Sequence, residues 1–593
     1  MTHKLEHILI INFRSCKKTD ISLADYTPLV GYNNGGKSNI LAAIKWLLRR
    51  SSLSNSYFYD EAHPIVVTGV ISGITEDLLS QLEQNHKASI EPFLSEGKLS
   101  IRRTQNKPND SASKIIFEVR DPNIAQDEDG SWKSNPAGID NAISVLFPEP
   151  IEVGAMENAE EDVGKWKTST TIGKLISEVM IPVEQEHGAA INEVLQGLQQ
   201  KLAADGNNRA PELDGFDMAA NEKLEELFPG IKIKIHVPSP EIKEVFKSGT
   251  IKVYEDENPL GRDVAALGHG AQRSIQMALI RHLADVKRKE ENSASRTLLL
   301  IDEPELYLHP QAIEQVRAAL KRLSNEGYQI IFSTHSPQMI TAQDLCNALL
   351  IRKTDDEGTY ARDRLADAVK SAITDAPAQT EMLFSLSNSS QILFCEHVVL
   401  IEGKTENRLL PYLFEEVRGA TLGQEKIAVV KQDGVSNTAK ALKVLNAMDL
   451  PAKAIVDLDY AFRCANSDGY LEDNDEDIVA CKDILNDISV NLGINLQDGL
   501  PTSKNSSMSA SEAFAELAKD ERSHEHINSL HNKLLENGIW LWKKGACEHH
   551  LGIQGKTEGI WASFLNELEA NGFNTAVKDH EGVRAMITWL CNE

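Results

Sequence analysis

Apolar positions fall into short runs and helical stripes that sort the chain into elements. Residues 8–11 (Ile-Leu-Ile-Ile) read as a strand, with a second short strand around 20–23. Residues 28–46 give strand, glycine-rich loop and helix. Between 64 and 119 the runs IVVTGVIS, KLSIRR and KIIFEVR alternate as β-strands do, with one helix near 76–84. Residues 121–136, rich in Asp, Asn, Gly and Pro, predict an exposed loop. Helical periodicity dominates 172–227, with a Gly/Asn break at 206–208. Its polar character suits a projecting arm, a dimer-forming hairpin or a plain solvated helix layer. Strand patterns return at 231–237 and 250–254. From 264 to 332 the order is loop, helix, buried strand, helix, buried strand, the α/β signature. A further α/β unit starts near 394, interrupted by an acidic run at 472–477 that reads as solvated loop.

Length and composition narrow the class. At 593 residues the chain needs several cores, about three to five folding units. Its longest apolar runs, such as 297–301 and 398–401, fall far short of the roughly 20 residues of a membrane-spanning helix. The first apolar stretch carries His3, Lys4, Glu6 and His7, with no small-residue cleavage site, so no secretory signal is expected. Seven cysteines at irregular spacing, without a CxxC pair, predict reduced thiols and a cytoplasmic setting. The net charge of −27 disfavours a polyanion partner if spread evenly. A local basic groove is compatible with that sum, and a metal-dependent nuclease needs clustered acids, so charge leaves nucleic acid open.

Two groups of motifs carry chemistry. The first handles phosphate. Gly31-Tyr-Asn-Asn-Gly-Gly-Lys37-Ser38 fits G-x-x-x-x-G-K-[ST] between an apolar strand and a helix. Its glycines let backbone N–H groups wrap a phosphate at a helix N-terminus. Lys37 would bridge the β- and γ-phosphates of ATP and Ser38 would ligate Mg²⁺, with Asn34, Gly36 and Asn39 in the same cradle. Downstream, Thr297-Leu-Leu-Leu-Ile-Asp302-Glu303 is a buried strand ending in two carboxylates, one to hold Mg²⁺ and one to act as general base. Gln329-Ile-Ile-Phe-Ser-Thr-His335 is a second strand, ending where a γ-phosphate sensor belongs.

This order resembles the ABC-type ATPases, in the branch shared with chromosome-maintenance and recombination ATPases. The opening Ile11-Asn-Phe-Arg-Ser15 is part of the likeness, as is Leu267-Gly-His-Gly270-Ala-Gln272-Arg273 in place of the usual LSGGQ signature. The resemblance implies that Gly270 and Gln272 cap the γ-phosphate of another subunit, and therefore a dimer.

The second group is acidic. Val398-Val-Leu-Ile-Glu402-Gly-Lys-Thr-Glu406 delivers one acid at a strand end and another one helical turn on. Ala454-Ile-Val-Asp457-Leu-Asp459 is a second strand end, where alternation predicts both acids on one side of the strand. The pattern resembles the TOPRIM fold. An ABC-type ATPase followed by TOPRIM is the layout of the OLD (overcoming lysogenization defect) nucleases, whose relatives include the Gabija nuclease subunit and retron-associated nucleases. That resemblance implies Glu402, Glu406, Asp457 and Asp459 as Mg²⁺ or Mn²⁺ ligands and Glu548 in Gly545-Ala-Cys-Glu548 as a candidate ligand of a second metal; Lys556 reads either as the neutraliser of the scissile phosphate or, more commonly for such a residue, as a surface lysine. His549 and His550 lack ligand spacing and read as structural.

The expected architecture is α/β: an ABC ATPase N-terminal part (1–165), a helical arm or dimerisation insertion (166–230), the ATPase C-terminal part (231–385) and a TOPRIM domain (386–593). The favoured function is an ATP-regulated, divalent-metal-dependent DNA endonuclease of anti-phage defence, working as a homodimer or larger homo-oligomer off the membrane. An operon partner such as a helicase or a retron reverse transcriptase with its RNA-DNA fits the same family. The alternative is a non-cleaving DNA-binding scaffold ATPase with a degenerate TOPRIM module, yet none of Glu402, Asp457 and Asp459 is lost. A topoisomerase would need a placed nucleophilic tyrosine, and Tyr460 reads as packing.

Overall fold

The computed structural model describes residues 3–591 apart from 126–127, 129, 148–149, 155–170, 239–240, 247–248, 256–257, 291–295, 373–388, 433–434, 473, 503 and 505. The expected boundaries at 165/166 and 385/386 lie outside the described residues. The chain divides into two compact units, one of Met1–Leu9, Ser22–Tyr26 and Ile40–Thr334, the other of Ile10–Ile21, Thr27–Asn39 and His335–Glu593.

In the first unit, Ile65–Ser72, Leu99–Gln105, Ile116–Arg120 and Trp132–Ser134 form an antiparallel meander. Alternate side chains of Leu99–Gln105 face inward, so Leu99, Ile101, Arg103 and Gln105 are all buried. Arg103 is tolerated there because it donates to the Leu47 carbonyl and pairs with Asp140 at 2.9 Å. A parallel set joins Ile151–Val153, Leu298–Ile301 and Gln329–Thr334. The latter two are buried along their whole length, as the uninterrupted apolar runs require. Helices Thr171–Leu202 and Pro211–Leu227 bracket the break at 206–208.

Three local expectations change. The helix near 76–84 is two, Glu76–Ser80 and Gln84–Ile90. The exposed loop at 121–136 contains the edge strand Trp132–Ser134, anchored by the Arg102 guanidinium 4.3 Å from the Trp132 ring. Residues 231–237 form no strand. Their backbone is satisfied by side chains of the preceding helix: Asn221 bonds both the N–H and the carbonyl of Ile233, and Asp217 accepts from Ile235 N. An apolar alternation without a partner strand has no ladder to join.

In the second unit, Leu349–Thr354 pairs in parallel with the P-loop strand at Leu29 and Val30 and antiparallel with Gly358–Ala361. Farther along lies a four-stranded parallel sheet in the order Ile427–Lys431, His397–Ile401, Ala452–Val456, Ile539–Leu541. One apolar cluster includes Val399, Ile401, Phe414, Trp542, Trp561 and Phe564, joining the sheet to helices Lys404–Arg418 and Glu558–Asn571. Parallel strands all end at the same edge, so Glu402 and Asp457 both emerge there.

Two more corrections belong to this unit. Asp459 is not on the strand with Asp457. The strand stops at Val456, Leu458 is right-handed helical, and Asp459 opens the short helix Asp459–Arg463. The acidic run at 472–477 is not simply solvated loop. Asp475 caps helix Glu476–Leu492 by accepting from Asp477 N and Ile478 N, and both aspartates pair with Lys533 at 2.7 and 2.8 Å. Asp475→Ala is expected to cost this helix about 1 kcal/mol, seen as roughly five-fold faster amide exchange in its first turns, with Asp475→Asn close to native. Hydrogen-exchange mass spectrometry checks it.

Candidate functional site

The glycine-rich loop at 31–38 is held open by packing that only glycine permits. A Cβ at Gly36, where φ is +101°, would lie 2.1 Å from Thr359 Oγ1. Thr359 donates to the Gly35 carbonyl and meets Ser15 at 2.7 Å; Ser15 in turn accepts from Asn39, which accepts from Arg14. Asn34 is left-handed, at φ 64°. Lys37 donates to the carbonyls of Gly31 and Tyr32, both at 3.0 Å, and to His335 Nε2 at 2.9 Å. An ammonium only donates, so His335 Nε2 is unprotonated in this contact. Two expected site residues 298 positions apart are thereby brought together.

The Asp302-Glu303 pair is built within the first unit. Ser333 donates to Asp302 and accepts from Glu303 N at 3.0 Å, while Asp302 N bonds the Val153 carbonyl at 2.8 Å. Glu303 sits at φ 47°, a strained conformation for a residue with a side chain, held by these bonds. Thr334 donates to the buried Glu305 at 2.7 Å. Arg273, fully buried, fastens the turn by donating to the carbonyls of Asp302, Glu303, Pro304 and Gly154. Gly270 and Gln272 lie at the start of helix His269–Glu290, as expected. Gln272 is buried, its amide spent on the Leu267 and Ala265 carbonyls of its own loop.

At the C-terminal edge of the parallel sheet the acids gather. Register aligns Ile401 with Ile455, which brings Glu402 Oε2 within 3.2 Å of Asp457 N. Glu406, in the first turn of helix Lys404–Arg418, is buried. The glycine of the E-G-x-T-E motif has a spatial reason: a Cβ at Gly403 would meet Glu406 Oε2 at 2.5 Å. Glu548, in helix Cys547–Leu551, accepts from the buried Thr405 hydroxyl and pairs with Lys556 at 3.3 Å. Asp459 pairs with Arg463 at 3.4 Å. His550 takes Asp579 on Nδ1 and the Lys544 amide on Nε2, and His549 accepts from Ala546 N. Both histidines therefore hold the turn that presents Glu548.

Charge repulsion is written into this cluster. Burial, then Asp459 and Glu406, push the Glu402 carboxyl up to about 7. Burial, then Glu406 and Glu402, push Asp457 well above its usual range, and Glu406 is raised by burial and by Glu548. Asp459 is raised by burial against the pull of Arg463 and Lys556. Asp457 Oδ1 is buried without a hydrogen-bond partner. Hard carboxylate oxygens and an orphaned buried acceptor suit a divalent cation. Among the described residues no three such side chains already converge on one ion position. Glu548 bonds to Thr405 and Lys556, and Asp459 pairs with Arg463.

Known proteins place the chain. A model described as "AAA ATPase domain" matches residues 4–92 and 155–340, and one described as "Overcoming lysogenization defect protein-like, TOPRIM domain" matches 393–459. The Old nuclease of Escherichia phage P2 is 40% identical over 600 aligned residues, covering 100% of both chains. The chain belongs to the OLD nuclease family. Endonuclease GajA of Bacillus cereus is 23% identical over 70% of this chain and 68% of its own, and the OLD nuclease of Thermus scotoductus 21% identical over 77% and 82%. Among solved structures, an Smc head bound to the C-winged helix domain of ScpA aligns at TM-score 0.36 and 16% identity, over 62% of this chain and 99% of that one. The OLD TOPRIM match spans Glu402, Glu406, Asp457 and Asp459 and stops before Glu548 and Lys556. Among the described residues no helix is long and apolar enough to cross a membrane.

Several partners of the OLD-family motifs escaped the sequence reading. Ser333, Thr334 and Thr405 stand inside the quoted motifs, so their position was a usable signal. Arg463 stands four residues after Asp459 on one helix, a local spacing, whereas Thr359 carries no local mark and only the fold brings it in. The raised carboxyls predict a pH effect. A folded-state pKa above the unfolded one gives stability that is full below about pH 4.5 and lost as pH rises through about 7 for Glu402. The metal-free melting temperature should therefore fall over this range, less so in Glu402→Gln. Mn²⁺ should raise it more at pH 8 than at pH 6, where protons compete. Differential scanning fluorimetry reads both effects.

Proposed function

We propose that this OLD-family chain is an ATP-regulated, divalent-metal-dependent DNA endonuclease of anti-phage defence, acting in the cytoplasm as a homodimer or larger homo-oligomer. One observation carries the reading: Glu402, Glu406, Asp457 and Glu548 are buried or nearly so in one mutually repelling group with Asp459, beside a single lysine, Lys556. Packing gains nothing from such a group, and a cation site does. The names of the relatives, Old nuclease and Endonuclease GajA, support nuclease chemistry and, through it, DNA as substrate.

In this reading residues 1–165 and 231–385 make the ATPase, 166–230 the dimerising arm and 386–593 the TOPRIM nuclease. Glu402, Glu406, Asp457, Asp459 and Glu548 hold two Mg²⁺ or Mn²⁺ ions. Divalent ions held by these residues would lower the pKa of a water and stabilise negative charge on the phosphoryl group. Thr405 fixes one Glu548 oxygen, Arg463 restrains Asp459, and the Lys556 ammonium meets the scissile phosphate. In the ATPase, Lys37 exchanges its carbonyl and His335 partners for the β- and γ-phosphates. Ser38 and Asp302 hold Mg²⁺, with Asn34, Gly36 and Asn39 in the cradle. Glu303 takes the proton of the attacking water, and His335, released by Lys37, senses the γ-phosphate. Gly270 and Gln272 serve the nucleotide of a second copy, after Gln272 leaves its own loop.

Supercoiled plasmid with Mg²⁺ or Mn²⁺, with and without ATP, tests this. Nicking or linearisation is expected from the native chain and is lost in Glu402→Ala, while Lys37→Ala alters its ATP response. Glu303→Gln should slow ATP hydrolysis by about 10²–10⁴-fold with nucleotide still bound. DNA binding and ATP hydrolysis without cleavage under every condition would overturn the nuclease assignment in favour of a scaffold.

A further inference from the structure

A cavity of about 540 Å³ lies within the second unit, walled on one side by the tip of the P-loop, residues 32–35, and on another by the start of the Glu402 strand, Glu396 and His397. Asn34, one of the expected cradle residues, and Gly35 face it from the P-loop tip, whereas Lys37 and the acids of the nuclease cluster do not line it. Its volume falls in the range of small-molecule sites, about 300–1,000 Å³, and exceeds what a bare phosphate fills.

The lining is basic. Arg352, Lys353 and Arg362 contribute three cations against the one carboxylate of Glu396, in a chain whose net charge is −27. Arg352 is only 7% exposed. It donates to the Cys395 carbonyl at 2.8 Å and weakly to the Ile351 carbonyl, and its Nε is buried without an acceptor. Arg362 likewise has Nε and Nη1 buried without a hydrogen bond. Its nearest carboxylate, Asp449, stands 3.6 Å from Nε and is 80% exposed. Glu396 is already committed to Lys426 at 2.7 Å. Tyr32 is held between the Arg352 guanidinium and the Lys426 ammonium, 4.6 and 4.8 Å from its ring centre.

Buried guanidinium donors without acceptors are costly, and a planar Arg fork matches phosphate oxygens. Three cationic side chains, Arg352, Lys353 and Arg362, line one mononucleotide-sized space, a charge that suits a multivalent anion. Tyr360 adds an aromatic surface to the lining. We propose that this cavity is a second nucleotide site, binding a nucleoside monophosphate-sized phosphate ester through Arg352, Arg362 and Lys353, beside the Lys37 cradle and sharing the P-loop tip with it. Its ligand would touch the P-loop tip and the root of the strand that carries Glu402 at once.

The test is a binding measurement on the full chain and does not depend on cleavage. Equilibrium dialysis with AMP in a Lys37→Ala background, which disables the P-loop, should give one AMP per chain. Lys353→Glu with Arg362→Glu on that background should weaken it about tenfold or more, and the milder Lys353→Gln with Arg362→Gln by less, with unchanged melting temperatures. Adenosine, which lacks phosphate, should not bind. The proposal is overturned if AMP binds the native chain but not Lys37→Ala, if the charge-reversed chain binds equally, if pyrophosphate binds and AMP does not, or if a short DNA duplex displaces AMP.

Discussion

Repulsion among buried carboxylates is the constraint around which the C-terminal unit is organised. Glu402, Glu406, Asp457 and Glu548 come from three separate chain segments and lose most of their water where the parallel strands end. In a medium of reduced dielectric, like charges at such range raise one another's proton affinity, and only cations relieve them. The nearby cations are few and placed with economy. Lys556 answers Glu548, Arg463 answers Asp459, and Thr405 supplies a neutral donor. That leaves Asp457 Oδ1 buried without a hydrogen-bond partner.

The apolar packing beneath explains how such a site can stand. Val399, Ile401, Trp542, Trp561 and Phe564 lock strands and helices into one cluster, and large buried side chains contribute about 1.5–3 kcal/mol each. His550 joins in from the polar side, spanning Asp579 and the Lys544 backbone, so the short helix that bears Glu548 cannot turn away. Stability gained from packing offsets electrostatic strain at the edge, a familiar division of labour in enzymes.

A similar economy governs the phosphate motifs. Lys37 is buried, and two loop carbonyls and His335 accept its hydrogen bonds. The carboxylate pair at 302 and 303 is pinned by Ser333 and by Arg273, which donates hydrogen bonds to four carbonyls at once.

What the residues settled alone was the elements with a strong local pattern. The glycine-rich loop after its strand and the apolar runs ending in Asp302, His335, Glu402 and Asp457 follow from nearest-neighbour chemistry, and the order of these motifs carries the resemblance to the OLD family. The polar helical stretch with its break at 206–208 is likewise a local pattern. Tertiary structure decided the rest. Residues 231–237 alternate like a strand but found side-chain partners on Asn221 and Asp217 instead of a ladder. Asp459 left the strand for a helix start, and Asp475 turned from loop acid to helix cap, because backbone bonds and Lys533 were available there. The pairing of Lys37 with His335, and of Thr405 with Glu548, joins positions 298 and 143 apart. Local sequence fixes which groups can ionise or donate. Which of them meet depends on strand register and packing, and those are set by the whole chain at once.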